Sequence, residues 1–457
     1  MKKIFSLLFI ASILLSACGT NGVDSTTELP TARAATKTPK VESTPETVSQ
    51  LNVKEEALKG LEITVWTPWY GIESTLFESF VSEFNSSNPW GIKVSTQSQG
   101  NFSNLYETVT TSLSTAEKPD LVIALPEHAL EWNEEGAVTD LMPYVNDPVY
   151  GIDSKDFSPT FWDQDMFGEM RVAIPAQRTA RFLLWNKTWA GELGFDSSPA
   201  APDDFRQQAC RAQKSMLNDA SAENDFMGGW IVDTEPMTAY AWLLAFDGGV
   251  VEGNNFLFLA PHNIDALKFL RELSENQCAW QVNETDPLTA FATREALFIT
   301  AGLEDLPTAA RAFASANSTD TWDVIAYPGA NQDAFVVYGS SYVILKSTGQ
   351  EQLAAWLFIR WLLEKEQDKR WVETTHLFPL RSSTLDLLAD YKKTHPQWVQ
   401  AIELMPDAQI QPQLAMWRKV KVMLGDGFAH MYRVNLPSGQ VAVILTQMDS
   451  IVSELSK

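Results

Sequence analysis

A chain that does covalent chemistry shows it first in the side chains able to attack a bond, move a proton or hold a metal. The five histidines, His128, His262, His376, His395 and His430, lie far apart without metal-ligand spacing. No HExxH zinc helix, GxSxG nucleophile elbow, GxxxxGK(S/T) phosphate loop, GxGxxG turn after a strand or EF-hand loop occurs. Two carboxylates would suffice for glycoside hydrolysis, but among 58 acidic residues a pair is always at hand, so that signal is empty. The three cysteines, Cys18, Cys210 and Cys278, include no CxxC and so no thioredoxin-like site. No catalytic residue, metal or cofactor is expected. The chemistry left is non-covalent recognition, which depends on how the elements of the fold place their polar and aromatic groups.

The first element is an address. Lys2 and Lys3 precede a largely apolar run over residues 4–15, long enough for a secretory signal and too short to span a bilayer. Leu15, Ser16, Ala17 and Cys18 then resemble the lipobox of bacterial lipoproteins, which implies a signal peptide over 1–17 and lipidation of Cys18. Several acyl chains there would anchor the mature chain to the cell membrane without a transmembrane helix. The expected location is extracytoplasmic, in a periplasm or on the outer face of the cytoplasmic membrane. With Cys18 acylated, one cysteine pair is left outside the reducing cytosol, and a disulfide between Cys210 and Cys278 is predicted.

Residues 20–50 contain no aromatic residue and are dense in Thr, Ser, Pro and Glu. Such a composition cannot bury enough apolar surface to fold and reads as a solvated tether. Beyond it, a hydrophobic share of 45% allows a large core, and the length argues for two or more domains. A net charge of −24 repels nucleic acid and anionic lipid, so no nucleic-acid partner is expected.

Residues 61–66, 91–96 and 120–125 have the β-branched, alternating look of strands. Between the first two, Ile72, Leu76, Phe77, Phe80, Val81 and Phe84 recur at helical spacing, stopped by the stretch from Asn85 to Pro89. The β-α-β-α-β order predicts an α/β fold with a largely parallel sheet, which binds ligands beyond the carboxyl ends of its strands. Those ends carry residues 66–70 and 126–128. Further on, 352–363 is apolar enough to be mostly buried, and Ala442, Leu445, Met448, Val452 and Leu455 form a closing helical stripe.

Several longer segments follow one another in a recognisable order. They are ITVWTPW, FVSEFNSSNP, GNF at 100–102, KPDLVIALPEHALEWNEEGAVTDLMPYV from Lys118, AIPAQRTARFLLWNK from Ala173, FATREALF from Phe291, and YGSSYVILKST from Tyr338 followed by EQLAAWLFIRWLLEKEQDKRW. In this order, behind a lipobox, they resemble the maltose-binding-protein-like group of extracellular solute-binding proteins, the receptors of ABC importers. The resemblance implies the two-lobed type II periplasmic-binding-protein fold, each lobe a mostly parallel sheet with flanking helices and a ligand cleft between them. On that template 18–58 is the lipidated cysteine and disordered linker. The first lobe holds 59–172 and 333–380, and the second holds 173–332 and 381–457.

The resemblance also nominates contacts. Trp69 and Tyr70 lie in the first βα loop, where related receptors touch ligand, whereas Trp66 reads as the end of a buried strand. Asp120 resembles an aspartate that bonds sugar hydroxyls, although an acid there can also cap the strand; Glu127 is a further candidate. Gln177, Arg178 and Thr179 stand where the glycerol-3-phosphate binder of the group carries small hydroxyl residues, which makes a phosphate ester less favoured; Arg178 could fork onto a carboxylate or vicinal hydroxyls. Arg181 reads as a surface ion pair. Trp230 in GGW resembles a cleft-bordering residue, and Trp417 resembles the tryptophan on which maltodextrin stacks. Tyr338, Gly339, Ser340 and Ser341 mark the return to the first lobe, with Gly302 and Arg381 as weaker nominations. Trp242, Trp356 and Trp361 read as core.

The implied function is a monomeric receptor that binds a carbohydrate, an oligosaccharide above all, and delivers it to ABC permease subunits. One alternative keeps the class and changes the cargo to a polyol, a glycerol phosphate or an acidic sugar. Another is a secreted carbohydrate-active enzyme or adhesin on the same fold.

Overall fold

The computed structural model describes residues 48–282 and 286–455. The expected signal segment, Cys18 and the tether up to residue 47 lie outside the described residues.

Strand-forming residues at Glu62–Thr67, Lys93–Ser98 and Leu121–Ala124 build a parallel ladder in which Ile63 lies opposite Val94 and Val65 opposite Leu121. Two later strands, Ser341–Ile344 and Ile174–Pro175, extend it antiparallel to a five-stranded sheet. The helix Gly71–Ser87 buries Phe77, Phe80, Val81 and Phe84, as its spacing predicts, while Ile72 stays outside the stripe at 60% exposure. It ends at Asn88, whose side-chain amide donates to the carbonyls of Phe84 (2.8 Å) and Ile92 (2.9 Å) and accepts from the Ile92 amide. One side chain thus satisfies the helix end and aims the chain into the next strand.

The second sheet has seven strands. Ala279–Trp280, Gly228–Ile231 and Ala296–Ala301 run parallel, and Thr179–Asn186 pairs antiparallel with Ala296–Ala301. The first half of Thr179–Asn186 pairs with Phe335–Tyr338 and its second half with Trp322–Ile325; Ala408–Ile410 closes the edge. This sheet is therefore more mixed than the first. At Gly229 a Cβ would strike the Cys278 carbonyl, so a strand this close to its neighbour requires glycine. The predicted disulfide is present beside it, joining Cys210 in the helix Pro202–Leu217 to Cys278, with Cα atoms 4.4 Å apart.

The helix Gly349–Leu362 is buried along most of its length and starts on a capping box, in which Thr348 and Glu351 satisfy each other's amides. Trp242 and Trp356 are fully buried and Trp361 partly so. In the C-terminal helix Ala442–Leu455 the buried stripe is Ile444, Leu445, Met448 and Val452, and Leu455 lies exposed at its end.

The chain passes between the sheets three times. It leaves the first after Pro175 and enters the second at Thr179, returns between Tyr338 and Ser341, and crosses again past Phe378, whose amide donates to the Arg178 carbonyl at 3.0 Å.

Candidate functional site

The carboxyl ends of the parallel strands of both sheets lie at these crossings, and their side chains define the site. On the first lobe, Pro68 follows the strand Glu62–Thr67 and Trp69 turns inward against Phe77 and Trp371, at ring centroids of 5.2 and 5.1 Å. Its indole N–H donates to Gln177 Oε1 at 3.1 Å, a bond that ties the first βα loop to the hinge. Tyr70, next along the chain, is 75% exposed. Trp66 is buried, as its strand position suggests.

Asp120 belongs to the other end of the sheet. It precedes Leu121–Ala124, and its carboxylate accepts from the Thr64 amide at 2.9 Å, in the middle of the neighbouring strand. Of the two roles open to it, the structure uses the strand cap.

Glu127 lies in the first turn of the helix Pro126–Glu134 and is almost wholly buried. Its carboxylate meets the Lys421 ammonium and accepts from the Gln411 side chain, both from the second lobe. Burial pushes this carboxyl up, but the charge and hydrogen bond of Lys421 together with the neighbouring His128 and a backbone hydrogen bond outweigh it and leave the group below the usual carboxylate range. One turn on, Glu131 accepts from Arg418 at 2.7 Å, and that guanidinium lies 3.9 Å over the Tyr106 ring. Glu127 thus binds the opposite lobe.

Arg178 is the hub of the hinge. Fully buried, it pairs with Asp165 at 3.0 Å and donates to the carbonyls of Ser340 (2.6 Å) and Phe161 (3.3 Å) and to Ser341 Oγ (3.1 Å). Ser341 Oγ in turn donates to Asp165 at 2.7 Å. Burial raises the Asp165 carboxyl and Arg178 pulls it back. The expectation that Arg178 and Ser341 reach ligand is corrected here: a guanidinium buried in a hinge needs its donors for local acceptors. Ser340 is also buried, and its hydroxyl donates to Gln177 Oε1 at 3.3 Å. At Gly339 a side chain would collide with the Gln177 carbonyl, so this glycine permits two crossing segments to touch.

The polar face lies on the second lobe. Thr179 Oγ1 donates to Glu304 at 2.8 Å, and Gly302 opens the turn that carries Glu304 and Asp305 after the strand Ala296–Ala301. Asp305 accepts from the Gly302 amide and stands 3.8 Å from Arg181. Burial lowers the basicity of Arg181, while the carboxylates of Asp233 and Glu304 act the other way. Burial, and then its neighbour Asp305, push the Glu304 carboxyl above the usual range although solvent reaches it, the circumstance of an acid in a cleft. Arg181, Asp233, Glu304 and Tyr327 were not among the expected contacts. Alternation could have found Arg181: in a strand it shares a face with Thr179.

Trp230 and Trp417 are corrected by burial. Trp230 packs fully enclosed against Phe205 and Trp242. Trp417 is sealed between Tyr240 and Phe256 and donates to Gln411 Oε1 at 3.0 Å. Arg381 pairs with Asp156 at 3.0 Å over the Phe157 ring and lines a mainly apolar cavity of about 500 Å³ with Phe161, Phe378 and Met405. Among the described residues no cluster of three or more His, Cys, Asp or Glu could hold a metal, and no helix is long and apolar enough to cross a membrane.

Two mixed α/β lobes, stitched by three crossings and presenting polar groups where they meet, define the class of two-lobed binding proteins. A match to the bacterial extracellular solute-binding proteins covers residues 79–406, and the chain belongs to that family. It is 21% identical over 372 residues, 78% of this chain and 84% of the other, to a binding protein of Brucella abortus (strain 2308). Its fold is similar to that of the sugar-binding protein MalE from Xanthomonas citri, with a TM-score of 0.74 and 18% identity over 86% of this chain and 98% of that one. It is similar as well to UgpB from Mycobacterium tuberculosis in complex with glycerophosphocholine (TM-score 0.70, 18% identity, 86% and 97% covered). A third similar fold is the cyclic alpha-maltosyl-1,6-maltose binding protein from Arthrobacter globiformis (TM-score 0.69, 17% identity, 86% and 98% covered).

Proposed function

We propose that this protein is the extracytoplasmic receptor of an ABC importer, anchored by a lipid on Cys18, which binds a carbohydrate between its lobes and presents it to the permease without covalent change. The observation that carries the reading is that Trp69 of one lobe bonds Gln177 at the hinge, two residues before Thr179, which bonds Glu304 in the group of Arg181 and Tyr338 on the other lobe. Aromatic faces suit the C–H surfaces of a sugar, and the carboxylates and amide suit its hydroxyls. Similar folds that bind sugars, in Xanthomonas citri and Arthrobacter globiformis, support the cargo class.

The test is a thermal-shift screen of the compact unit Thr47–Lys457 against mono- and oligosaccharides, polyols and glycerol phosphates. A ligand that binds the native state raises the melting temperature with concentration, by about 2.7 kcal/mol of stability at 100 times its Kd. Recovery of the sugar intact supports a receptor; a cleaved product would point to an enzyme. Silence across the sugars with a response to polyols or glycerol phosphates would move the cargo to that class.

A further inference from the structure

The charge of the site narrows its cargo, an inference that rests on the receptor reading above. The Arg181 guanidinium lies 3.8 Å from Asp305 and within electrostatic reach of Asp233 and Glu304. Each acid is fixed by a neighbour: Asp233 accepts from Thr238 Oγ1 at 2.7 Å and the Glu235 amide at 2.9 Å, Glu304 from Thr179, and Asp305 from Gly302. The phenols of Tyr327 and Tyr338 lie within the same reach, and both are pushed above their usual range, by burial first and by these acids in addition. Arg181 keeps one buried donor, Nε, without a protein partner, a group suited to a hydroxyl oxygen. Two other cations at the lobe boundary, Lys421 and Arg418, are engaged by Glu127 and Glu131.

We infer that the cleft accepts an uncharged or amine-bearing carbohydrate and rejects carboxylated and phosphorylated ones, with Asp233, Glu304 and Asp305 setting that specificity. An anionic substituent would add to three carboxylates balanced by one guanidinium, whereas a hydroxyl can satisfy both and an ammonium relieves the excess. Burial first, and the adjacent Asp305 in addition, raise the Glu304 carboxyl.

The test is calorimetric titration of the chain with matched series built on glucose, galactose and mannose, as mono- and oligosaccharides. Each is supplied as neutral sugar, amino sugar, uronate and phosphate ester. Within any series that binds, the uronate and phosphate should bind at least about 100-fold more weakly than the neutral sugar, and the amino sugar at least as tightly. Asp233→Asn with Glu304→Gln should bring the uronate to within about tenfold of the neutral parent; if that variant does not fold, the wild-type ranking decides alone. A uronate or phosphate binding as tightly as its neutral parent overturns the inference and leaves the receptor reading intact. Failure of every sugar at every charge removes the carbohydrate reading, and this inference with it.

Discussion

Arg178 and Arg181 lie three positions apart on one stretch of chain and do opposite work. Arg178 lies just before the strand Thr179–Asn186 and enters the hinge, while alternation within the strand puts Arg181 on the face of Thr179 beside the acids. Removing one partner of a buried ion pair strands the other, at a cost of about 3–5 kcal/mol. Arg178→Met should therefore lower the urea midpoint sharply. Arg181→Ala, at a partly open site, should lower that midpoint less and weaken the ligand found in the thermal-shift screen by about tenfold or more. Equal destabilisation by both would show that the two arginines share a structural role. The basic pair was legible in the sequence, but which member faces the cleft depends on strand phase, and phase was not resolved one residue after a hinge.

At the scale of elements, periodic patterns carried most of the information. The helix Gly71–Ser87 and its flanking strands were legible because their apolar spacing is strong and local. Trp230 and Trp417 were misread for the complementary reason: a tryptophan has the same type in a core and on a cleft wall, and only partners distant in sequence decide which. The pairing of Cys210 with Cys278 followed from redox compartment and number. That bridge fastens the helix Pro202–Leu217 to the strand Ala279–Trp280 and closes a loop of 68 residues. Chain entropy assigns such a loop about 4 kcal/mol. Reduction in non-denaturing buffer, followed by urea titration, should lower unfolding stability by an amount of that order. A midpoint unmoved by reduction would mean that the reduced unfolded chain stays as constrained as the bridged one.

Across the whole molecule, the helices Pro126–Glu134 and Trp417–Arg433 hold the lobes together by charge, through Glu127 with Lys421 and Glu131 with Arg418. Glu127→Gln should shift the lobes toward an open form by about 1–3 kcal/mol, read as a larger radius of gyration in solution scattering of the ligand-free protein. The sign with pH follows from the depressed Glu127 carboxyl: its contribution is complete above the unfolded value near 4.3 and is lost as pH falls through the lower folded value. Wild-type chain should thus expand in acid toward the radius that the variant already has at neutral pH. An identical radius for both at neutral pH would remove these pairs from the control of lobe angle.

The same contacts fix how well a partner that reads the closed shape can tell a loaded molecule from an empty one. Every 1.4 kcal/mol of cross-lobe attraction multiplies the idle closed fraction about tenfold while that fraction is small, and raises apparent ligand affinity in step. Tighter capture is then bought with false reports of cargo. Glu127 and Lys421 therefore act as a setting on the signal's background, and natural variation at either position would trade sensitivity for silence.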